Sequence, residues 1–178
     1  TAQRWIDEGA KWIHVVNLDG AFAAANDNLR VLESVAKLGA QVQFGGGLRS
    51  LEDMQRAVDA GASRIVLGTV AVQHPELVTR ALDTYGAERI CVGLDARAGK
   101  VTTHGWSQIS EITPAELGRL MKARGVIHAL FTDVSRDGAL EGSAVDATIQ
   151  LGQATGLQVI ASGGVTSIEE IRRLAVSG

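Results

Sequence analysis

The feature that most constrains the fold is an internal repeat with a spacing of 117 residues. The segment 42–54 (VQFGGGLRSLEDM) aligns with 159–171 (VIASGGVTSIEEI), and the match continues to Gly61 and Gly178. A second pair, 15–21 (VVNLDGA) and 131–139 (FTDVSRDGA), lies at nearly the same spacing. Two such halves imply a whole of about 234 residues, close to the ~250 residues of a (β/α)8 barrel.

Short apolar runs alternate with longer amphipathic stretches along the chain. Runs that are apolar nearly throughout are typical of strands covered on both faces, and the βα alternation predicts a parallel sheet. The predicted strands are 12–18, 42–44, 64–67, 90–94, 129–133 and 158–161. The predicted helices are 29–38, 51–60, 76–85, 114–124, 146–155 and 168–175. A barrel and a doubly wound sheet both fit this order, and the repeat favours the barrel.

Helix boundaries are marked by residues with specific capping roles. Ser50, Thr113 and Ser167 are predicted N-caps, because a serine or threonine oxygen can accept a free amide of the first helical turn. Five helices are predicted to end at a glycine, the residue that most readily adopts the left-handed closing conformation. These glycines are Gly39, Gly61, Gly86, Gly125 and Gly156.

Aligning the two halves predicts which parts of a barrel these residues represent. Gly178 aligns with Gly61, which directly precedes the predicted strand 64–67, and residues 5–9 resemble 120–125, which follow the strand ending at Asp95. We therefore expect one α/β domain over 1–178, an incomplete barrel with six of eight strands that lacks strands 1 and 8. The repeated units are roughly 10–61 and 127–178. Unpaired strand edges promote association, so we also expect a homo-oligomer.

Composition excludes several classes of protein. The net charge of −3 argues against nucleic acid, which usually requires a basic surface. Cys91 is the single cysteine and lies in an apolar run, so we expect a buried, unreactive thiol and no disulfide. No apolar stretch reaches the ~18 residues of a membrane span, and residues 1–6 show no secretory pattern. We expect a cytoplasmic protein with no membrane partner.

Glycine turns follow two predicted strands at the edge where barrel enzymes carry their sites. Gly46-Gly47 and Gly163-Gly164 are related by the repeat, and each precedes a predicted N-cap. Backbone amides at glycines approach anions closely, and a helix N-terminus adds partial positive charge, so both turns are candidate phosphate sites. Gly68-Thr69 would add amides and a hydroxyl. The alternative is that these are ordinary turns.

Asp95 ends an apolar strand, where a carboxyl group would face the barrel mouth and serve as a general acid or base. The alternative is a loop-capping aspartate. In the polar loop 132–138, Asp133 and Arg136 could simply form an ion pair. Trp106 is positioned to stack on a flat substrate ring, and Trp5 and Trp12 are expected in the core. The histidines show no metal-ligand spacing, so we expect no metal site and assign them to surface or core: His14, His74, His104 and His128.

Five motifs in order resemble the histidine-biosynthesis isomerases that act on phosphoribosylformimino-aminoimidazole-carboxamide ribonucleotide. They are QFGGGLRS, VLGTVAV, VGLDARAGKVTTHGW, FTDVSRDGALEG and VIASGGV. The cyclase subunit of imidazole glycerol phosphate synthase is a sister family. Asp133 after Thr132, and Gly105-Trp106 after the Asp95 loop, favour the isomerase. The bifunctional histidine/tryptophan isomerases share these features, so membership of that group stays an open alternative.

The resemblance implies an aldose–ketose (Amadori) rearrangement without a cofactor. Asp95 matches the general acid, Thr132 and Asp137 match residues that support the reacting sugar, and Arg49 matches a substrate-contacting arginine. The glycine turns match phosphate sites: Gly46, Gly47 and Thr69 for one, Gly163 and Gly164 for part of the other. Asn17 departs from the family, which usually has aspartate there.

The family's presumed base, an aspartate at the end of strand 1, has no matching position among these residues. Two interpretations follow from this gap. In the first, the sequence is part of an isomerase and is inactive by itself. In the second, it is a catalytically silent, self-associating protein that retains binding of the phosphorylated sugar nucleotide or of phosphate or sulfate ions.

Overall fold

Six parallel strands form the central sheet of the computed structural model, which describes residues 1–21, 28–138 and 142–177. The sheet order is β1-β2-β3-β4-β8-β9, the order of these strands in the chain. The six strands are β1 (Trp12–Val16), β2 (Gln41–Gly45), β3 (Arg64–Leu67), β4 (Ile90–Gly93), β8 (His128–Thr132) and β9 (Gln158–Ser162). A second, antiparallel group comprises β5 (Ala96–Arg97), β6 (Lys100–Thr103) and β7 (Gln108–Ile109).

Helices connect the parallel strands, as the alternating pattern predicts. They are α1 (Ala2–Asp7), α2 (Leu18–Ala21), α3 (Leu29–Ala36), α4 (Leu51–Asp59), α5 (Thr69–Gln73), α6 (Pro75–Tyr85), α7 (Pro114–Ala123), α8 (Val145–Thr155) and α9 (Ile168–Val176). A 3-10 turn at Ala87–Arg89 leads into β4. A doubly wound sheet reverses its strand order at a switch point, and this sheet does not. The prediction of a six-stranded incomplete barrel is confirmed.

The sheet curves so strongly that its two edges face the same cavity. His14 of β1 and Ser162 of β9 lie on strands at opposite ends of the sheet order, yet both line one pocket. Each parallel pair keeps a continuous register; His14 of β1, for example, lies opposite Gln43 of β2. This curvature brings the carboxyl ends of distant strands into one site.

The predicted caps are confirmed and define where the helices begin and end. Ser50 and Thr113 form capping boxes with Asp53 and Glu116, and Ser167 Oγ accepts the amide of Glu170. The five closing glycines all have positive φ, between 68° and 102°: Gly39, Gly61, Gly86, Gly125 and Gly156.

The core lies between the sheet and the helices, with a smaller apolar cluster on the inner face of the sheet. Phe44, Leu32 and Met54 are among the largest fully buried side chains of the main cluster. The inner cluster contains Cys91, and burial raises the pKa of its thiol to about 12. A thiol that stays protonated is a poor nucleophile, which fits the expectation of an unreactive cysteine.

Two predictions about residues 5–18 are wrong: the end of the first strand, and the burial of Trp5 and Trp12. Strand β1 ends at Val16 rather than at residue 18, because Leu18 begins α2. Trp5 and Trp12 are 50% and 45% exposed rather than in the core. β1 is the edge strand of the described sheet and α1 has no buried residue. Within the described residues, neither tryptophan is therefore covered by a further helix or strand. The guanidinium of Arg64 instead lies 4.6 Å from the Trp12 ring centroid.

None of the described helices combines the length and the apolar character required to cross a membrane.

Candidate active site

A cavity of about 540 Å³ opens at the carboxyl ends of the parallel strands. It gathers all but two of the predicted site residues: Gly46, Gly47, Arg49, Gly68, Thr69, Asp95, Trp106, Thr132 and Asp137. Residues far apart in the chain meet here because each follows a strand of the same parallel sheet. Of the second glycine turn, only the preceding residue, Ser162, reaches the cavity wall.

Gly163 and Gly164 lie immediately behind that wall. A Cβ on Gly163 would be 3.0 Å from Asp137 Oδ1 and 3.1 Å from Thr132 Cγ2. A Cβ on Gly164 would be 2.7 Å from the carbonyl oxygen of Gly142. The second turn therefore supports Thr132 and Asp137, and both of its glycines have positive φ.

Asp95 presents a carboxyl group whose two oxygens differ in environment. Trp106 Nε1 donates to Oδ2 at 2.8 Å. Oδ1 is buried and has no hydrogen-bond partner within the described residues. Burial raises the pKa of Asp95, and the charge of Asp137 raises it further, against the opposing effects of Trp106, Thr132 and His14. The carboxyl group therefore keeps its proton to a higher pH than an exposed aspartate does.

Trp106 is held by the antiparallel group, which sequence reasoning missed. Thr102 donates its amide to the Asp95 carbonyl at 2.7 Å, which anchors β6 beside the acid. Trp106 has φ of 69°, an uncommon conformation for a large side chain and one typical of functional sites. The Ala98-Gly99 turn between β5 and β6 has both φ values positive, as a two-residue hairpin turn requires, but only Gly99 is a turn signal in the sequence.

The first glycine turn faces the cavity beside two polar side chains. Gly46 and Gly47 have φ of 103° and 78°. Arg49 Nη2 donates to the Gly20 carbonyl at 3.0 Å, which holds its guanidinium at the cavity wall. Thr69 Oγ1 accepts the amide of His104 at 2.9 Å, so its own hydroxyl proton is free to be directed elsewhere.

The start of α4 is less open to an anion than the sequence suggested. Asp53 Oδ2 accepts the amides of Arg49 and Ser50, each at 3.0 Å. The carboxylate of the capping box therefore already occupies the position that an anion would take at this helix. An anion at the first turn would contact the glycine backbone rather than the helix terminus.

Asn17, where the family usually has aspartate, does not line the cavity. Its Oδ1 accepts from the Gly20 amide at 3.0 Å and from Asn28 Nδ2 at 2.9 Å. These contacts give Asn17 a local role at the start of α2.

Two histidines assigned to surface or core line the cavity instead. His14 points into it from β1, and His104 does so from the loop after β6. Gln43, buried on β2, contacts the His14 ring. His14 could have been recognised in the sequence as a polar residue within an otherwise apolar strand.

Asp133 and Arg136 form the ion pair considered above, at 3.5 Å. Over 1–21, 28–138 and 142–177, no three His, Cys, Asp or Glu side chains are grouped to hold a metal ion.

Replacing Asp95 with asparagine is expected to stabilise the fold at neutral pH by about 1 kcal/mol, the scale typical when a strained functional group is removed. Because burial raises the pKa of Asp95, its contribution to stability is fully present below about pH 3.9 and is lost as pH rises through the folded-state pKa. The increase in unfolding free energy caused by Asp95→Asn should therefore be smaller at acid pH. Urea unfolding at several pH values measures it, with the exposed Asp83→Asn as control. Equal effects of the two variants would contradict the expectation.

Strand order, curvature and a polar cavity at the carboxyl ends of the strands define an incomplete (β/α)8 barrel with its site in the usual place. Comparison with known proteins then identifies the family. The model of the histidine biosynthesis protein family matches residues 1–178, and the chain belongs to that family.

Three relatives carry the name 1-(5-phosphoribosyl)-5-((5-phosphoribosylamino)methylideneamino) imidazole-4-carboxamide isomerase. The protein of Moorella thermoacetica is 45% identical over 174 residues, 97% of this chain and 71% of the relative. That of Syntrophomonas wolfei is 44% identical over the same shares. That of Acinetobacter baylyi is 43% identical over 98% of this chain and 72% of the relative. The resemblance drawn from the five motifs is confirmed.

Proposed function

We propose that the cavity binds a bis-phosphorylated ribonucleotide and serves an aldose–ketose rearrangement of its sugar. The observation that carries this proposal is the Asp95 carboxyl group, which is buried in a polar cavity with one oxygen held by Trp106 and the other without a partner in the described residues. The names of the relatives state the same class of activity. Those names support the isomerase over the cyclase.

Asp95 is the proton donor in this proposal. It gives its Oδ1 proton to the ring oxygen of the ribose, the bond from that oxygen to C1 breaks, and the nitrogen lone pair forms a protonated imine at C1. A second group then takes the C2 proton, which gives an enaminol that rearranges to the aminoketose. Thr132 and Asp137, on the same wall, hold the opened sugar.

The two phosphates are assigned to the two glycine turns. One lies against Gly46, Gly47 and Gly68, where the Thr69 hydroxyl can donate to it. The other is assigned to the second turn, at the part of the cavity wall that Ser162 forms in front of Gly163 and Gly164. A substrate that bears a phosphate at each end would span the cavity from β2 to β9, with its reacting sugar beside Asp95.

Calorimetric titration tests this assignment. The 178-residue protein should bind the bis-phosphorylated aminoketose product with one site per chain. Removing either phosphate should weaken binding at least about tenfold, since each loses charge-assisted hydrogen bonds. Thr69→Val should weaken binding of the doubly phosphorylated ligand similarly, whereas Thr84→Val, at an exposed position of α6, should not. A dissociation constant that is unchanged when either phosphate is removed would overturn the proposal.

We also propose that the chain self-associates. Strands β1 and β9 each have a neighbour on one side only within the described sheet. Apolar side chains beside them are exposed, including Val16, Ile168 and Ile171 at 50%, 68% and 54%. Such edges pair readily with other chains. Light scattering should give a mass well above the 18.7 kDa of one chain. A mass that remains that of one chain at high protein concentration would contradict self-association.

A further inference from the structure

A buried histidine contacts two groups of opposite charge at the amino-terminal end of the barrel. His128, the first residue of β8, is only 6% exposed. Its Nε2 lies 3.2 Å from Nη2 of Arg64, which begins β3, and 3.0 Å from Oε2 of Glu88, in the 3-10 turn before β4. This end of a barrel usually serves stability rather than catalysis, and none of the three residues lines the cavity that holds Asp95.

One nitrogen cannot serve both contacts at once. A guanidinium group only donates hydrogen bonds, and an ionised carboxylate only accepts them. Nε2 of His128 can accept from Arg64 when it carries no proton, and it can donate to Glu88 when it carries one. The two contacts are therefore alternatives, and the position of the proton on the ring selects between them.

Exposure decides which contact the neutral ring keeps. The side chain of Glu88 is 77% exposed, so water can replace the histidine as its partner. Arg64 is partly buried, and a buried charge loses more free energy when it lacks a partner. We therefore expect neutral His128 to carry its proton on Nδ1 and to accept from Arg64 through Nε2.

The elements around His128 bring no further charge to its ring. His128 lies on the same face of β8 as Thr132, which lines the cavity, so it points into the barrel and away from the helices. Cys91 of β4 and Gln158 of β9 lie opposite it in register. Gln158 is uncharged, and burial raises the pKa of the Cys91 thiol to about 12, so the thiol stays neutral.

Arg64 connects this histidine to the edge of the sheet. Its Nε donates to the Glu88 carbonyl at 3.1 Å. Its guanidinium also lies 4.6 Å from the ring centroid of Trp12, on the edge strand β1. A change in the contact between Arg64 and His128 therefore acts on the group that covers Trp12.

We propose that His128 is a pH-sensitive switch at the amino-terminal end of the barrel. The neutral ring accepts a hydrogen bond from Arg64 and thereby joins β3 to β8. The protonated ring donates to Glu88 instead, and repulsion between the two neighbouring cations displaces Arg64 and alters its stacking on Trp12. The switch is separate from the rearrangement at Asp95, so it does not rest on the proposed function.

Nitrogen NMR between about pH 5 and 8 tests the proposal in the wild-type protein, without any variant. The neutral His128 ring should show a protonated Nδ1 and an unprotonated Nε2. The Nε–H signal of Arg64 should shift with the same midpoint as His128, whereas that of Arg89, which donates to backbone carbonyls before β3, should not. A neutral ring protonated on Nε2, or an Arg64 signal that does not follow His128, would overturn the proposal.

Replacing the histidine shows whether Trp12 responds to it. In His128→Gln, which cannot titrate, the pH-dependent shift of Arg64 should be lost, together with the part of the Trp12 indole shift that follows the His128 midpoint. Any Trp12 shift that remains is assigned to His14, on the same strand. His74→Gln, at an exposed position, is the matched control and should alter neither signal. Equal shifts in the two variants would contradict the switch.

Discussion

A polypeptide of these 178 residues is expected to show no measurable conversion of the aminoaldose ribonucleotide to the aminoketose. The rearrangement requires removal of the C2 proton as well as protonation of the ring oxygen. The resemblance places the base at a position that has no match in this sequence, and a positioned acid or base is worth roughly 10²–10⁴ in rate. Asp95 alone would open the ring without completing the reaction.

A spectrophotometric assay with purified protein measures the turnover, and the Moorella thermoacetica relative, assayed alongside, shows that the substrate is competent. Growth of a histidine auxotroph that expresses only these 178 residues gives a more sensitive second readout. Turnover within about tenfold of the relative, or growth of the auxotroph, would show that a residue among these 178 supplies the base. Asp137, whose charge acts on Asp95 in the same cavity, would then be the first to replace.

Gly46→Ala is expected to destabilise the protein by about 3 kcal/mol or more. Gly46 has φ of 103°, a conformation that costs a residue with a side chain about 1–3 kcal/mol. The new Cβ would also lie 2.3 Å from the Asn17 carbonyl oxygen. Backbone atoms cannot rotate away, and the Asn17 backbone N–H donates a hydrogen bond to the Gly45 carbonyl at 2.7 Å. Strands β1 and β2 would therefore have to separate.

Gly125→Ala is the matched control for this variant. Gly125 has nearly the same φ, 100°, and a Cβ there would meet no atom within 4 Å. It should therefore cost only the backbone strain, about 1 kcal/mol. The difference between the two midpoints in urea isolates the effect of the close approach. Equal destabilisation would mean that the glycine turn can relax and that its tight packing is not required.

Much of the fold follows from local signals. The apolar runs, the serine and threonine caps and the closing glycines each depend on interactions within a few residues, so they can be recognised in one sequence. The strand order depended on the repeat, because periodicity alone fits two parallel architectures. The site positions Asp95, Thr132 and Gly46 follow from the rule that parallel strands present their carboxyl ends together.

Other features depend on contacts between distant segments. His14 faces the site because it lies on the inner face of β1, where it contacts Gln43, 29 positions later in the chain. Stacking of Trp106 on a substrate ring stays a prediction, and its hydrogen bond to Asp95 Oδ2 could not be foreseen because the antiparallel group creates that contact. Trp12 looks like a core residue in sequence, and it is exposed because its strand lies at a sheet edge.

The proposed rearrangement depends most on an Asp95 carboxyl group that carries a proton in the cavity. Carbon NMR of the labelled aspartate side chains, followed from acid to alkaline pH and assigned with Asp95→Asn, measures this directly. The prediction is one carboxyl group that titrates clearly above the ordinary aspartate value of about 3.9 and shifts when the bis-phosphorylated product is added. An Asp95 that titrates at or below that value, and does not respond to the product, would contradict the account.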